Sequence, residues 1–404
     1  SIVDLPLYFE SKQYCGITAN KYGGLPMNRI IKIGMDVHTT NYTLCIFEPS
    51  FEHDGTVHCI TQVKPEVKNI IRVIETFKKK HENEELNIVC GYEAGCLGYS
   101  LYHELKEKGI ECVILAPTTM KTEKGGRKLK NDYRDAKMIA ECLAYGGYSA
   151  VHVPTELDNS VKEFIRMRDD IKENLKSIKQ QIIAFLTRNG KQFEGKSFWT
   201  RKHIDWINTV SFSEPLLQDT LKEYMIEYNH LCNRVETLDR QIEEISLKEE
   251  YVEKVQQLQC LIGIKTHTAL SLIVETSDFN RFKKGNMYSA YLGLIPGDDS
   301  SGGHENKVGI TKAGNSHLRR LLVEAAQGYT RGRVGFKSKD LKSRQEKCSS
   351  EVVAYADRAN ERLRRKYYRM TLRGKKYNVA KTAIARELAC FVWGIMTDHI
   401  DLCS

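Results

Sequence analysis

Two aspartates, Asp132 and Asp135, open the helix-like half of the stretch KLKNDYRDAKMIAECL at residues 128–143. Positions i and i+3 share a helix face, so both carboxylates point the same way. The loop ahead of them carries Lys124, Arg127, Lys128 and Lys130. Acids in a first turn complement the helix macrodipole, and Asp caps well. That is the plain explanation. The chemical one is a divalent metal site reached by a polyanion.

Two more acids favour the metal. In IIKIGMDVH, residues Ile31, Ile33, Met35 and Val37 share one strand face. Asp36 falls on the other face with Gly34 and His38. An acid inside a strand that should be buried is costly without a partner. Glu93 ends NIVCGYE in the same way. Like charges about 4 Å apart repel by roughly 4 kcal/mol at an effective dielectric near 20, so four convergent acids need a counter-charge. An oxygen-ligated Mg²⁺ or Mn²⁺ supplies it and suits a phosphate substrate. Arg134 and the loop lysines are the alternative source.

The elements that must position these acids begin after Met27. Three β-type runs, RIIKIGMDVH, YTLCIFEP and TVHCITQV, are separated by small turns and predict an antiparallel meander. A helix from Pro65 to about Lys80, the strand LNIVCGYE, a helix over 97–108, the strand ECVILAP and a helix from Asp132 to Leu143 follow. That order is ribonuclease-H-like; strand and helix alternation alone would also permit a plain doubly wound fold.

Residues 155–250 change character. Phe164, Ile171, Leu175, Ile178, Ile182 and Phe185 recur at helical spacing, with Arg168 in the one polar gap. Leu221, Tyr228, Leu231, Val235, Leu238, Ile242 and Ile245 repeat the pattern. Two long amphipathic helices of this kind make either an antiparallel coiled coil or an ordinary bundle, a spacer or assembly arm in both cases. From Leu258, two helical halves around Gly263-Ile264-Lys265 resemble a helix-hairpin-helix, whose turn amides can approach phosphate.

Three later segments suit nucleic acid. DDSSGG presents Ser300 and Ser301 beside Gly302 and Gly303, an open hydroxyl or merely a turn. VGITKAGNSHLRRLL places Lys312, Asn315, His317, Arg319 and Arg320 at a helix start, where such donors meet phosphates. RANERLRRKYYRMTLRGKKYNVAK has ten Lys/Arg from Arg358 to Lys381. Among them Arg364, Arg365, Lys366, Arg369, Arg373, Lys375 and Lys376 are interleaved with Tyr367, Tyr368 and Tyr377, as backbone neutralisation with base stacking requires. A solvated basic face is the plain alternative. AIARELACFVWGIM then reads as an apolar closing helix.

The bulk numbers agree. The chain has 404 residues, a net charge of +9, 41% hydrophobic and 28% charged content, enough for two or three domains. No apolar run approaches a membrane span, and no signal-peptide pattern opens the chain. Twelve cysteines are scattered without a CxxC pair, which argues for reduced thiols in a cytoplasm. Residues 1–26 show little periodicity, and residues 1–28 read as an N-terminal extension.

Asp36 in GMDVH, Glu93 in YEAG and the pair in KNDYRDA resemble the acidic tetrad of DEDD insertion-sequence transposases. LGLIPGDDSSGG and GITKAGNSHLRRLLVEAA resemble that family's C-terminal transposase domain. The family is that of insertion sequence 110, also called bridge-RNA recombinases, and the resemblance runs from about Arg29 to Met396. It implies a RuvC-like domain over 29–154, a coiled-coil or helical region over 155–250, and a mainly helical transposase domain over 251–404 with a nucleophilic serine. By position, Asp36, Glu93, Asp132 and Asp135 would hold Mg²⁺ or Mn²⁺, and Ser301, with Ser300 as competitor, would attack DNA. Lys128 and Lys130 would join Lys312, Asn315, Arg319, Arg320 and the tail residues in nucleic-acid contacts.

The implied partners are donor and target double-stranded DNA, a guide (bridge) RNA and further copies of the chain as dimer or tetramer, in a bacterial or archaeal cytoplasm at the nucleoid. The reaction is transesterification through a covalent protein–DNA link. The rivals are a RuvC-like metal nuclease or junction resolvase using water, an ATP-dependent kinase, and an RNA-binding protein without catalysis.

Overall fold

A computed structural model describes residues 29–50, 52, 54–95, 97–120, 131–298 and 307–400. The N-terminal extension, the basic loop with Lys124, Arg127, Lys128 and Lys130, and both candidate serines lie outside the described residues. The chain forms two compact units, one up to Val153 and one from Pro154.

The first unit is built on five strands: β1 Arg29–Val37, β2 Tyr42–Glu48, β3 Thr56–Val63, β4 Leu86–Glu93 and β5 Glu111–Leu115. Their spatial order is β3-β2-β1-β4-β5. The meander pairs antiparallel, while β1–β4 and β4–β5 pair parallel. This mixed sheet is compatible with a ribonuclease-H-like domain.

Three helices cover the sheet, α1 Val67–Lys80, α2 Ser100–Glu107 and α3 Asp132–Tyr145. Alternation along β1 divides them. Ile31, Ile33 and Met35 meet Ile70, Ile74 and Phe77 of α1 and Leu101 and Leu105 of α2 in one core. On the opposite face Cys45 and Phe47 of β2 meet Ala136 and Ala140 of α3, and Leu115 meets Ile139 and Leu143. A strand buried on both faces has to be apolar almost throughout, which is why Asp36 near its end stands out.

Two glycines let α3 lie down. Gly34 and Gly91 are cross-strand partners on β1 and β4. A Cβ at Gly34 would sit 2.2 Å from Ala136 O and Ala140 N, and one at Gly91 would sit 2.6 Å from a Leu143 methyl.

The second unit begins with α4 Glu156–Arg188, α5 Arg201–Thr209 and α6 Pro215–Ser246. Helices α4 and α6 run antiparallel. Arg168 bonds Asp239 near one end, and Phe185 packs edge-on against Tyr224 near the other, with ring centroids 5.6 Å apart. Arg168, the polar gap in the α4 stripe, is itself buried, and its guanidinium bonds Asp239 at 2.7 and 2.9 Å. The arm has its own core, from Ile171 to Phe185 against Leu221 to Leu238. At its base Val161, Ile165 and Ile242 merge into the main core of the unit.

The rest of the unit comprises α7 Val252–Leu258, α8 Thr266–Thr276, α9 Gly285–Tyr291, the strands β6 Pro296–Asp298 and β7 Lys307–Ile310, α10 Ser316–Ala325, α11 Lys339–Gln345, α12 Ser350–Leu372 and α13 Tyr377–Met396. The closing helix α13 buries Ile384, Leu388, Phe391, Val392 and Ile395 at its centre. Strands β6 and β7 pair antiparallel; Ser300 and Ser301 fall between them in the chain. Among the described residues no helix is long and apolar enough to cross a membrane.

Candidate functional site

Asn131, not an aspartate, caps α3: its side-chain oxygen accepts the Tyr133 N–H at 3.0 Å. Asp132 and Asp135 are therefore not consumed in capping. Both are half-buried in the first turn, where the positive helix end favours them. Because α3 rests on Gly34, its N-terminus reaches the end of β1, two residues further on.

There Asp36, His38 and Asp132 offer ligand atoms that all lie within 4.8 Å of one another. His38 Nε2 is 3.2 Å from Asp36 Oδ2. Asn41, in the turn after β1, donates from Nδ2 to Asp132 Oδ2 at 3.3 Å. Burial is the main force raising the Asp36 pKa; His38 opposes it, while the charges of Asp132 and Asp135 add to it. A carboxylate disfavoured by burial and by like charges is a group that a cation would stabilise. Two carboxylates and an imidazole within this span fit a divalent ion, and the imidazole suits Mn²⁺ better than Mg²⁺.

Asp135 faces the same region but is outside the triplet, as is Glu93. Glu93 follows Tyr92, which pairs with Met35, so it stands level with Asp36 on the neighbouring strand; its side chain is exposed. Strand alternation sets His38 on the Asp36 face without giving it a role, and Asn41 escapes sequence reasoning altogether. The two-residue spacing in D-V-H is the usable signal for His38. Nothing local signals that a turn asparagine reaches across 91 residues to Asp132.

The basic residues divide sharply. Asn315 caps α10, accepting the Leu318 N–H at 3.0 Å, and donates to Glu275 Oε2 at 2.6 Å. Arg319 donates to the carbonyls of Leu292 and Ala313, and Arg320 to Asp169. His317 bridges two acids, Nδ1 to Glu275 at 2.6 Å and Nε2 to Asp169 at 2.8 Å. These side chains tie α10 to α4 and α8 within the unit, whereas Lys312 is exposed.

Arg364 is turned inward. It is only 7% exposed and bonds the carbonyls of Arg333 and Phe336 at 2.7 and 2.9 Å, so it holds a loop. Tyr367 is likewise buried, and the Tyr368 hydroxyl bonds Gly332 O. Arg365 pairs with Glu361, and Lys366 pairs with Glu387. Arg369, Arg373, Lys375, Lys376 and Tyr377 remain exposed around the α12–α13 turn.

The helix-hairpin-helix reading meets a different geometry. Gly263 has φ +83°, and a Cβ there would sit 2.1 Å from Ala325 O. The adjacent amides already have partners, Ile262 N–H on Asn360 Oδ1 and Ile264 N–H on Leu261 O.

Comparison with known proteins decides the family. Residues 33–189 match the DEDD transposase profile, and residues 255–338 match the profile of the IS116/IS110/IS902 transposase family. The protein y4qE of Sinorhizobium fredii, which carries a transposase name, is 34% identical over 90% of this chain and 87% of its own length. The transposase for insertion sequence element IS1533 of Leptospira borgpetersenii is 29% identical over 87% of this chain and 99% of its own. The transposase for IS1111A of Coxiella burnetii is 25% identical over 77% and 79%.

The chain belongs to the IS110 family of transposases. It is an enzyme of insertion-sequence transposition, which cleaves and rejoins DNA. As an IS110-family transposase it carries Asp36, Glu93, Asp132 and Asp135 inside the DEDD match, and Ser300 and Ser301 inside the second.

Proposed function

We propose that this transposase breaks and rejoins DNA by transesterification onto a serine. Asp36 and Asp132, with Asp135, Glu93 and His38 around them, would hold a divalent cation, Mg²⁺ or Mn²⁺. That cation would supply Lewis-acid stabilisation of the charge building on the phosphate and the departing oxygen. The hydroxyl of Ser301, or of its neighbour Ser300, attacks phosphorus. Its proton passes to water, the P–O bond to the deoxyribose breaks, the departing oxygen takes up a proton from water to become a free hydroxyl, and the phosphoserine link conserves the bond energy for rejoining. Asn41 orients Asp132 throughout.

The observation that carries this reading is the Asp36–His38–Asp132 cluster, set where burial and like charge call for a cation. Around it we read residues 29–154 as the RuvC-like catalytic domain, 155–250 as an antiparallel coiled-coil arm and 251–404 as the serine-bearing domain. A dimer or tetramer acts on donor and target duplexes, guided by a structured RNA. The exposed Arg369, Arg373, Lys375 and Lys376 neutralise backbone phosphates.

The experiment is denaturing electrophoresis of protein incubated with labelled DNA and Mn²⁺. A labelled adduct that survives denaturation and disappears in Ser301→Ala or Ser300→Ala identifies the nucleophile. Free cleaved DNA with no adduct from the wild-type protein would favour the water-using nuclease.

A further inference from the structure

The far end of the arm holds a cavity that neither the acidic cluster nor the basic α12–α13 turn uses. Its volume is about 240 Å³, and its walls include Leu186, Lys191, Phe193, Phe198, His203 and Trp206. The wall is a set of rings. Phe193 and Trp206 flank His203 with centroids 4.8 and 5.7 Å away, Trp206 within 19° of parallel. Phe198 stands 51% exposed beside them.

One polar side chain interrupts this surface. His203 is 1% exposed, and its Nδ1 accepts the Trp199 N–H at 3.1 Å. Burial pushes the ring's pKa down. A neutral imidazole that accepts at Nδ1 carries its proton on Nε2, and among the described residues Nε2 has no hydrogen-bond partner. A donor left open in an otherwise apolar wall is available to an acceptor on whatever enters the cavity. The strained Trp199, at φ +61°, supplies the N–H that fixes the ring in this state.

The surroundings name the ligand's charge. Between Arg188 and Lys202 the chain has five basic residues, Arg188, Lys191, Lys196, Arg201 and Lys202, against Glu194 alone. All but Lys191 are exposed. Two copies docking tip to tip would set these cations against their own images across a two-fold axis, so a second copy is a poor occupant. A polyanion with a flat, apolar-faced group that carries an acceptor is a good one.

We propose that the arm tip is a single-stranded nucleic-acid site. One unpaired base enters beside Phe198 and Trp206, a carbonyl or ring nitrogen of that base accepts the His203 Nε2–H, and the flanking phosphates lie among the five basic residues. Aromatic platforms with a basic rim are how unpaired strands are held without regard to sequence. The proposal rests on the family's work on nucleic acid but on neither the serine nor the metal.

The test uses the full-length protein in EDTA, with single-stranded oligonucleotides carrying 2-aminopurine, one DNA and one RNA. The expected result is 2-aminopurine quenching on binding. Phe198→Ala, which removes the platform, and Thr187→Phe, which fills the cavity from an exposed wall position, should each weaken binding about tenfold. A fully paired duplex should bind all three proteins alike. Melting followed by circular dichroism identifies any variant that does not fold, and the other then carries the test. The stronger of the DNA and RNA arms identifies the strand. Wild-type affinity and quenching in both folded variants would overturn the proposal, as would an effect confined to the assembly mass measured by light scattering. Because no cation is present and no cleavage is read, either result is independent of the proposed chemistry.

Discussion

Gly34 lies directly beneath Ala140, close enough that a single added carbon would overlap the helix backbone at 2.2 Å. This approach sets the height of α3 above the sheet, and so the distance between Asp132 on the helix and Asp36 on the strand. Gly34→Val should therefore act twice, costing about 1–3 kcal/mol of stability through overpacking and separating the two carboxylates. Chemical denaturation reads the first effect, and Mn²⁺ titration calorimetry of protein that remains folded reads the second.

His38 adds nitrogen to an otherwise oxygen donor set. If it binds the cation, His38→Ala should weaken Mn²⁺ by about tenfold or more and Mg²⁺ by less, since imidazole favours the later metal. Equal losses for both ions would assign His38 to orienting Asp36 alone. Asp36→Asn and Asp135→Asn should abolish cleavage of DNA with either ion.

The Asp169–His317–Glu275 cluster makes stability depend on pH in a definite sense. Burial alone would lower the His317 pKa, but the hydrogen bonds to Asp169 and Glu275 outweigh it and raise it to about 9. Burial raises Glu275, yet bonds from His317, Arg166 and Asn315 bring it down to about 2. A raised histidine binds its proton more tightly when folded, so its contribution is complete below about pH 6.5 and is lost as pH climbs through 9. The Glu275 contribution is present above about pH 4.3 and fades as pH falls towards 2. Urea unfolding should give a plateau between these limits and a loss of about 3 kcal/mol or less on the alkaline side. His317→Gln should flatten that alkaline slope.

Arg364 and its exposed neighbours should separate cleanly. Arg364→Ala strips donors from two loop carbonyls and should cost about 1–3 kcal/mol, lowering the melting temperature. Lys375→Ala with Lys376→Ala should leave melting unchanged and reduce the salt dependence of DNA binding by about one unit of slope for each phosphate no longer neutralised. An unchanged slope would remove the α12–α13 turn from the interface.

The sheet was legible because its signals are local. Alternation, short turns and the two-sided burial of β1 follow from residue order alone, and the strand and helix limits lie within a few residues of those the pattern predicts. The acids on β1 and α3 stood out for local reasons too, Asp36 because it interrupts an apolar strand and Asp132 and Asp135 because their spacing puts them on one helix face. What the sequence hides is what partners do at a distance. Arg364 and Tyr367 carry the composition of a nucleic-acid surface, yet α12 turns them inward, and only the fold distinguishes them from Arg369 five residues on. Asn315, Arg319 and Arg320 have the residue types of phosphate donors, and only the fold shows that Glu275, Asp169 and two carbonyls are their partners within the unit. His203 gave no hint, because its environment is assembled from both ends of the α4–α5 connection.

Helix α4 is one unbroken rod of 33 residues, about 50 Å long, with Asp169 near its root and the His203 cavity beyond its far end. The root is gripped by charges from α8 and α10, and the strand β7 that leads into α10 follows directly on the serine segment. A pivot of about 5° at Asp169 would swing the far end, about 28 Å further along the helix, by about 2.5 Å, from the rise per residue. Binding at the distant end would thus have a mechanical route, by leverage, to the root of α10.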